Sequence, residues 1–165
     1  MNKILKYTKA NVRVSDVESG CLLFTDSNLF VDSGRAFIAD SWRNAITTGG
    51  GFIDSTKFAC DFGDDSETPA PDNVNIVGTL LGSIELAVAG MLGEGEPTGL
   101  SFTGTFLPIA PVDIRELGLF YRNIGTYPDP LDPDFGVMIA RLRTTYGKIT
   151  VGAGKSIAVE WKIIF

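Results

Sequence analysis

A mainly β fold, an antiparallel β-sandwich of jelly-roll-like type with one α-helix near residues 32–47, is what this sequence predicts. Three observations carry it. The final segment alternates strictly, with Ile157, Val159, Trp161, Ile163 and Phe165 on one side and Ser156, Ala158, Glu160, Lys162 and Ile164 on the other, the two-residue period of a strand. The 165 residues include 19 Gly and 11 Phe, a mixture that suits short strands joined by tight turns. A single stretch has helical spacing, and strands surround it.

Taken in order, residues 1–13 form a basic N-terminal arm, and residues 14–165 form a single β-sandwich domain. Lys3, Lys6, Lys9 and Arg13 stand among Ile4, Leu5 and Tyr7 with no acid. Such a segment either frays as a terminus or orders on a neighbouring subunit. Val12, Val14 and then Cys21-Leu22-Leu23-Phe24 read as strands broken near Glu18-Ser19-Gly20. The helix follows, capped by Asp32 or Ser33, with Phe37, Ile38, Trp42, Ala45 and Ile46 on one side. Thr48-Gly49-Gly50-Gly51 ends it.

Phe58, Cys60 and Phe62 alternate with Lys57, Ala59 and Asp61, and residues 63–72 make a polar loop. Residues 74–92 are apolar, but Gly78, Gly82 and Gly90 argue against helix, and 84–88 alternate as a strand. A turn-rich connection over 93–99 leads to Leu100–Phe106. Leu117, Leu119 and Tyr121 share one face in 114–122, and Met138, Ala140 and Leu142 oppose Arg141 and Arg143 in 137–144. Tyr127 to Asp134 alternates Asp with Pro and is a loop, because proline cannot donate to a ladder. The final strand should lie centrally, since an apolar edge invites aggregation. The expected core comprises Trp42, Phe58, Phe62, Phe102, Phe106, Leu117, Leu119, Trp161 and Ile163.

Chemistry is limited by what the chain lacks. It contains no His, which removes Ser-His-Asp and Cys-His sites and imidazole metal ligands. Its two cysteines show no CxxC spacing and lie in apolar surroundings, so both are read as buried free thiols suited to a reducing cytoplasm. There is no phosphate-binding glycine motif. Asp61, Asp64, Asp65 and Glu67 crowd together, either as a solvated acidic loop or as oxygen ligands for Ca²⁺ without the EF-hand spacing. No catalytic residue, metal or cofactor is assigned.

The net charge of −6 argues against nucleic-acid binding. No run approaches the ~20 apolar residues of a spanning helix, and the start lacks a signal-peptide core. The stretch from Lys57 to Arg115 contains no internal base and many acids, either a solubilising surface or one complementary to a basic partner. Partner docking is assigned to Lys3, Ile4, Leu5, Lys6, Tyr7, Lys9 and Arg13 of the arm and to Tyr127, Asp129 and Asp132 of the proline loop. Proline stiffens that loop and lowers its entropy loss on binding.

Several segments, read in order, resemble a known family. Residues 28–35 open the helix, and Phe102-Thr103-Gly104-Thr105-Phe106 and Glu116-Leu117-Gly118-Leu119-Phe120 follow. Met138-Ile139-Ala140-Arg141-Leu142 and the closing Ile157 to Phe165 complete the set. Together they resemble small tailed-bacteriophage virion structural proteins of tail-fibre, collar or head-decoration type. The resemblance implies a β-sandwich module that is a virion building block and not an enzyme, made in the host cytoplasm. It also implies a homo-oligomer, with a trimer favoured, in contact with other virion proteins. A chain that ends on a sandwich strand and starts with a basic arm suits a capsid decoration or a tail, neck or fibre-attachment protein. Within these motifs Glu116 and Arg141 lie on adjacent strand signals and either pair or stand as two independently solvated charges, and Gly118 would let a large ring, that of Trp161, lie on the backbone. The alternative function is a carbohydrate-binding sandwich module, with Tyr121, Tyr127 and Tyr146 exposed beside Asp-rich loops.

Overall fold

The computed structural model describes residues 9–48, 56–73, 75–91, 99–122, 136–144 and 147–164, with the backbone alone at 9, 10, 28, 29, 42–48 and 89–91. It is a mainly β protein with one helix and a large antiparallel sheet that curls round on itself. The elements are β1 (Lys9–Asp16), β2 (Leu22–Phe30), α1 (Asp32–Thr48), β3 (Phe58–Gly63), β4 (Leu80–Met91), β5 (Gly99–Phe106), β6 (Val112–Ile114), β7 (Glu116–Tyr121), β8 (Val137–Arg143), β9 (Ile149–Val151) and β10 (Ile157–Ile164).

The strands follow the order β1-β10-β5-β4-β3-β7-β8-β2 and return to β1, while β6 and β9 form a separate two-stranded sheet. Four antiparallel pairs are nested in the chain: β1 with β10, β2 with β8, β3 with β7 and β4 with β5. This is the arrangement of a long two-stranded ribbon rolled up, the jelly-roll-like feature that was expected.

The two faces of the sandwich are continuous because β2 and β4 serve both. The first half of β4 pairs with β3, from Gly63↔Leu80 to Phe58↔Leu86, and its second half pairs with β5, from Ala87↔Thr103 to Met91↔Leu100. β2 pairs with β1 through Asn28 and reaches β8 only at Leu29↔Arg141 and Phe30↔Ala140. Both corners are therefore zipped at the same end, where β2 and β4 finish and β1 begins. At the other end they diverge. There the β6–β9 sheet fits between the faces, with Ile114, Ile149 and Val151 buried.

Alternation places the core. In β10 Ile157, Val159, Trp161 and Ile163 are buried and the residues between them half-buried, with β1 on one side and β5 on the other. Phe58 lies 4.3 Å from Phe102 between ring centroids, and Phe62 stacks on Phe106 at 4.4 Å, so aromatic pairs join opposite faces. Leu117 and Leu119 are buried in the same cluster. The side chain of Trp42 lies outside the described residues.

Strand β7 departs from simple alternation. Residues Glu116 to Phe120 are all buried, because the outer face of this sheet is covered too. Residues 64–79 and α1 lie over it, and Val31, Phe120, Met138 and Ile76 form a small second cluster there. The two expected caps of the helix bond elsewhere. Ser33 donates its hydroxyl to the Met138 carbonyl at 2.8 Å, and Asp32 pairs with Arg35. Gly34 seats α1 directly on β8, where a Cβ would stand 2.5 Å from Ile139 Cα. Gly34→Ala gains about 1 kcal/mol of helix propensity but forces the helix off the strand, an overpacking cost of about 1–3 kcal/mol. The variant should have a lower denaturation midpoint, and a raised midpoint would show that the helix moves freely.

The first strand starts earlier than the sequence suggests. Lys9 to Arg13 belong to β1, held by β10 throughout and by β2 from Ala10 onward, with Val12 buried. Deleting residues 1–13 would thus remove most of a core strand, and a deletion that spares the fold must stop at residue 8.

Candidate functional site

Large apolar side chains are exposed mainly at the end where the faces diverge. Among the described residues these are Val17, Leu22, Leu23, Val77, Leu80, Leu107 and Ile109; Val88, partway along β4, is the exception. Ile109 is fully exposed and Leu107 more than half so. The loops carrying them are tied together by backbone bonds. Gly154 N donates to Pro108 O at 2.9 Å and Val17 N to Ser156 O at 3.1 Å. Exposed ion pairs rim the same end, Lys155–Glu18 at 2.6 Å and Lys148–Asp113 at 2.5 Å. Hydrogen bonding to Glu18 raises the Lys155 pKa, and hydrogen bonding to Lys148 and then Thr150 lowers that of Asp113. Asp16 is lowered by Ser19, whose hydroxyl and backbone N–H both donate to it.

Where β2 parts from β8 a cleft of about 320 Å³ opens, lined by residues 22–25 on one wall and by Thr144 and residues 147–149 on the other. The sequence reading took the apolar run around Cys21 as a buried setting for that thiol. Instead Leu22 and Leu23 are about half exposed and Phe24 only partly covered. Cys21 is exposed as well, so only Cys60 is a buried thiol. The reason is local: β2 leaves the sheet's second ladder at Leu29, and its earlier residues have no described strand against that edge.

A second polar feature lies on the outer face of β3, β7 and β8. Arg141 donates Nε to Glu116 Oε2 at 2.8 Å, and both side chains are fully buried. Of the two sequence readings, a pair or two solvated charges, the structure has the pair, and it lies in the interior. Arg141 Nη1 also donates to Asn73 Oδ1 at 3.0 Å, and the Glu116 carboxylate accepts the backbone N–H groups of Val77 and Gly78 at 3.1 and 2.6 Å. Asp61 is a β3 residue and not part of the acidic loop. It is buried and accepts both terminal nitrogens of Arg122, at 3.0 and 2.9 Å. Arg122 also contacts Ser83 and lies 5.6 Å above the Phe120 ring. This second pair had no sequence signal beyond an Arg at the end of β7. The Glu116–Arg141 network fastens the 64–79 segment to the sheet, and the Asp61–Arg122 pair with Ser83 ties β3 and β4 to the end of β7.

The ring against Gly118 is that of Phe120, with Ile76 and Met138 beside it, and not that of Trp161, which lies on the other face of the sandwich. Trp161 instead donates Nε1–H to Cys60 Sγ at 3.4 Å in the core. Burial pushes the Cys60 thiol far above its usual value, which removes it as a nucleophile. Among the described residues no three His, Cys, Asp or Glu side chains come together as metal ligands, and no helix is long and apolar enough to cross a membrane.

Of the residues assigned to docking, Lys3, Ile4, Leu5, Lys6, Tyr7, Tyr127, Asp129 and Asp132 lie outside the described residues. Their anchors do not: Lys9, Arg122 and Gly136 are all at the zipped end. Arg13 is exposed on β1, opposite Glu160 of β10. Tyr121 is half-buried, 4.5 Å from the Phe37 ring and 5.3 Å from that of Phe58, so it offers no open stacking platform for a sugar. Tyr127 and Tyr146 lie outside the described residues. Compared with known proteins, the chain matches no family model, no curated relative and no solved structure.

Proposed function

We propose that this chain is a non-enzymatic structural subunit that acts through protein–protein contacts, and that its assembly is the virion of a tailed bacteriophage. Its place there is that of a capsid decoration or of a tail, neck or fibre-attachment protein. The observation that carries the first half is the exposed apolar end beside the cleft. Such surface, rimmed by charged pairs, favours burial against another protein. The second half is supported by the ordered motifs from residue 28 to the C-terminal strand. The charged residues buried in the protein are paired with each other, an arrangement that serves the fold and leaves no free base or nucleophile among them.

The test is direct. The protein should appear among the components of purified phage particles, and a reconstruction should place its apolar end against another chain. Its absence from particles made by a host that expresses it would overturn the virion reading. The purified protein should also show no turnover of glycan, peptide or ester substrates. Reproducible cleavage lost on one Asp or Glu substitution would overturn the non-enzymatic reading.

A further inference from the structure

We infer that the cleft beside β2 is a strand-addition site, and that its occupant is the N-terminal segment, residues 1–8, of a second copy of this chain. The inference rests on the proposed role as an assembling subunit and specifies the contact.

The edge itself is the first argument. From Leu22 to Asn28, β2 has β1 on one side, while among the described residues its ladder with β8 begins only at Leu29. An extended segment can add its backbone hydrogen bonds to such an edge and bury alternate side chains in the flanking pockets. Here the cleft supplies the space, and Leu23 and Phe24 supply apolar walls.

The occupant follows from topology. Residues 1–8 precede Lys9, which is paired with Ile164 at the zipped end. The cleft lies at the opposite end. Because β1 already has partners on both sides, the segment leaves its own protein at the end remote from its own cleft. Eight extended residues reach roughly 26 Å, enough to cover the open stretch of β2. A segment entering a neighbour's cleft from the open end runs antiparallel to β2, the direction every neighbouring strand here takes. Ile4, Leu5 and Tyr7 are the apolar side chains it offers. Contact from one end to the other end is head-to-tail, which closes into a ring or continues as a filament. A ring accommodates the trimer expected from the resemblance.

In this antiparallel alignment residue 8 of one copy comes beside Cys21 of the next. Cys21 is exposed and Cys60 is buried, so a Thr8→Cys variant has one accessible native thiol to meet. Under mild oxidation Thr8→Cys should form disulfide-linked chains, and adding Cys21→Ser should remove the linked species. Deletion of residues 1–8 leaves β1 whole and should convert the oligomer to a monomer in sedimentation analysis. Absence of the linked chains, or a truncated protein that sediments as the full chain does, overturns the strand-addition site. If the truncated protein still oligomerises and enters particles, only this contact falls and the structural role stands. If the full chain is monomeric and absent from particles, both fall.

Discussion

Trp161→Ala should lower the stability of the protein by about 3–5 kcal/mol, the range for removing a large buried aromatic side chain. The indole is fully buried on β10, a strand with a partner on each side. Its loss opens a cavity between the two faces and leaves the Cys60 sulfur without the Nε1–H that it accepts at 3.4 Å. The rigid ladders around β10 limit how far the walls can collapse, so the cost should fall in the upper part of that range. Chemical denaturation measures it. An unchanged midpoint would show that the ring is not in the core.

Arg141→Ala should be comparably destabilising, by about 3–5 kcal/mol, for an electrostatic reason. It leaves the Glu116 carboxylate buried with only the Val77 and Gly78 amides as partners, and frees Asn73 from Arg141. Replacing both charges together, as in Glu116→Leu with Arg141→Met, should recover much of that loss, because no uncompensated charge remains. Val77 and Gly78 would still lose their acceptor, so recovery should be incomplete. A double variant as unstable as Arg141→Ala alone would show that the strap over the sheet, and not the isolated charge, accounts for the effect. Taken with the Trp161 experiment, these variants probe the two faces of one sheet: an apolar interior and a polar, covered exterior.

Much of the protein was legible in the order of its side chains. The alternation of Ile157, Val159, Trp161 and Ile163 was sufficient to place β10 at the centre of the fold. The helix was legible from spacing over 32–47, and the loops from their Gly, Pro and Asp content. Alternation failed in β7, where Leu117 and Leu119 were read as sharing one face but Glu116, Gly118 and Phe120 on the other face are buried too. Residues 64–79 and α1 fold back over that face, and a two-residue period cannot report a cover drawn from distant sequence. It failed in the opposite sense at Cys21 to Phe24, a run apolar enough for a core but left at a diverging corner.

By itself the sequence determined the fold class, the buried face of β10 and the absence of imidazole chemistry, because these depend on composition and on local period. It also placed Glu116 and Arg141 near enough to pair. Only the tertiary structure decided that this pair is buried, that Asp61 belongs to Arg122, and that Leu22 and Leu23 are exposed. Burial depends on which distant segments cover a strand, and ladder length depends on how far two strands stay within hydrogen-bonding distance. At β2 and β8 they remain so for two residue pairs before they separate, and that separation creates the cleft.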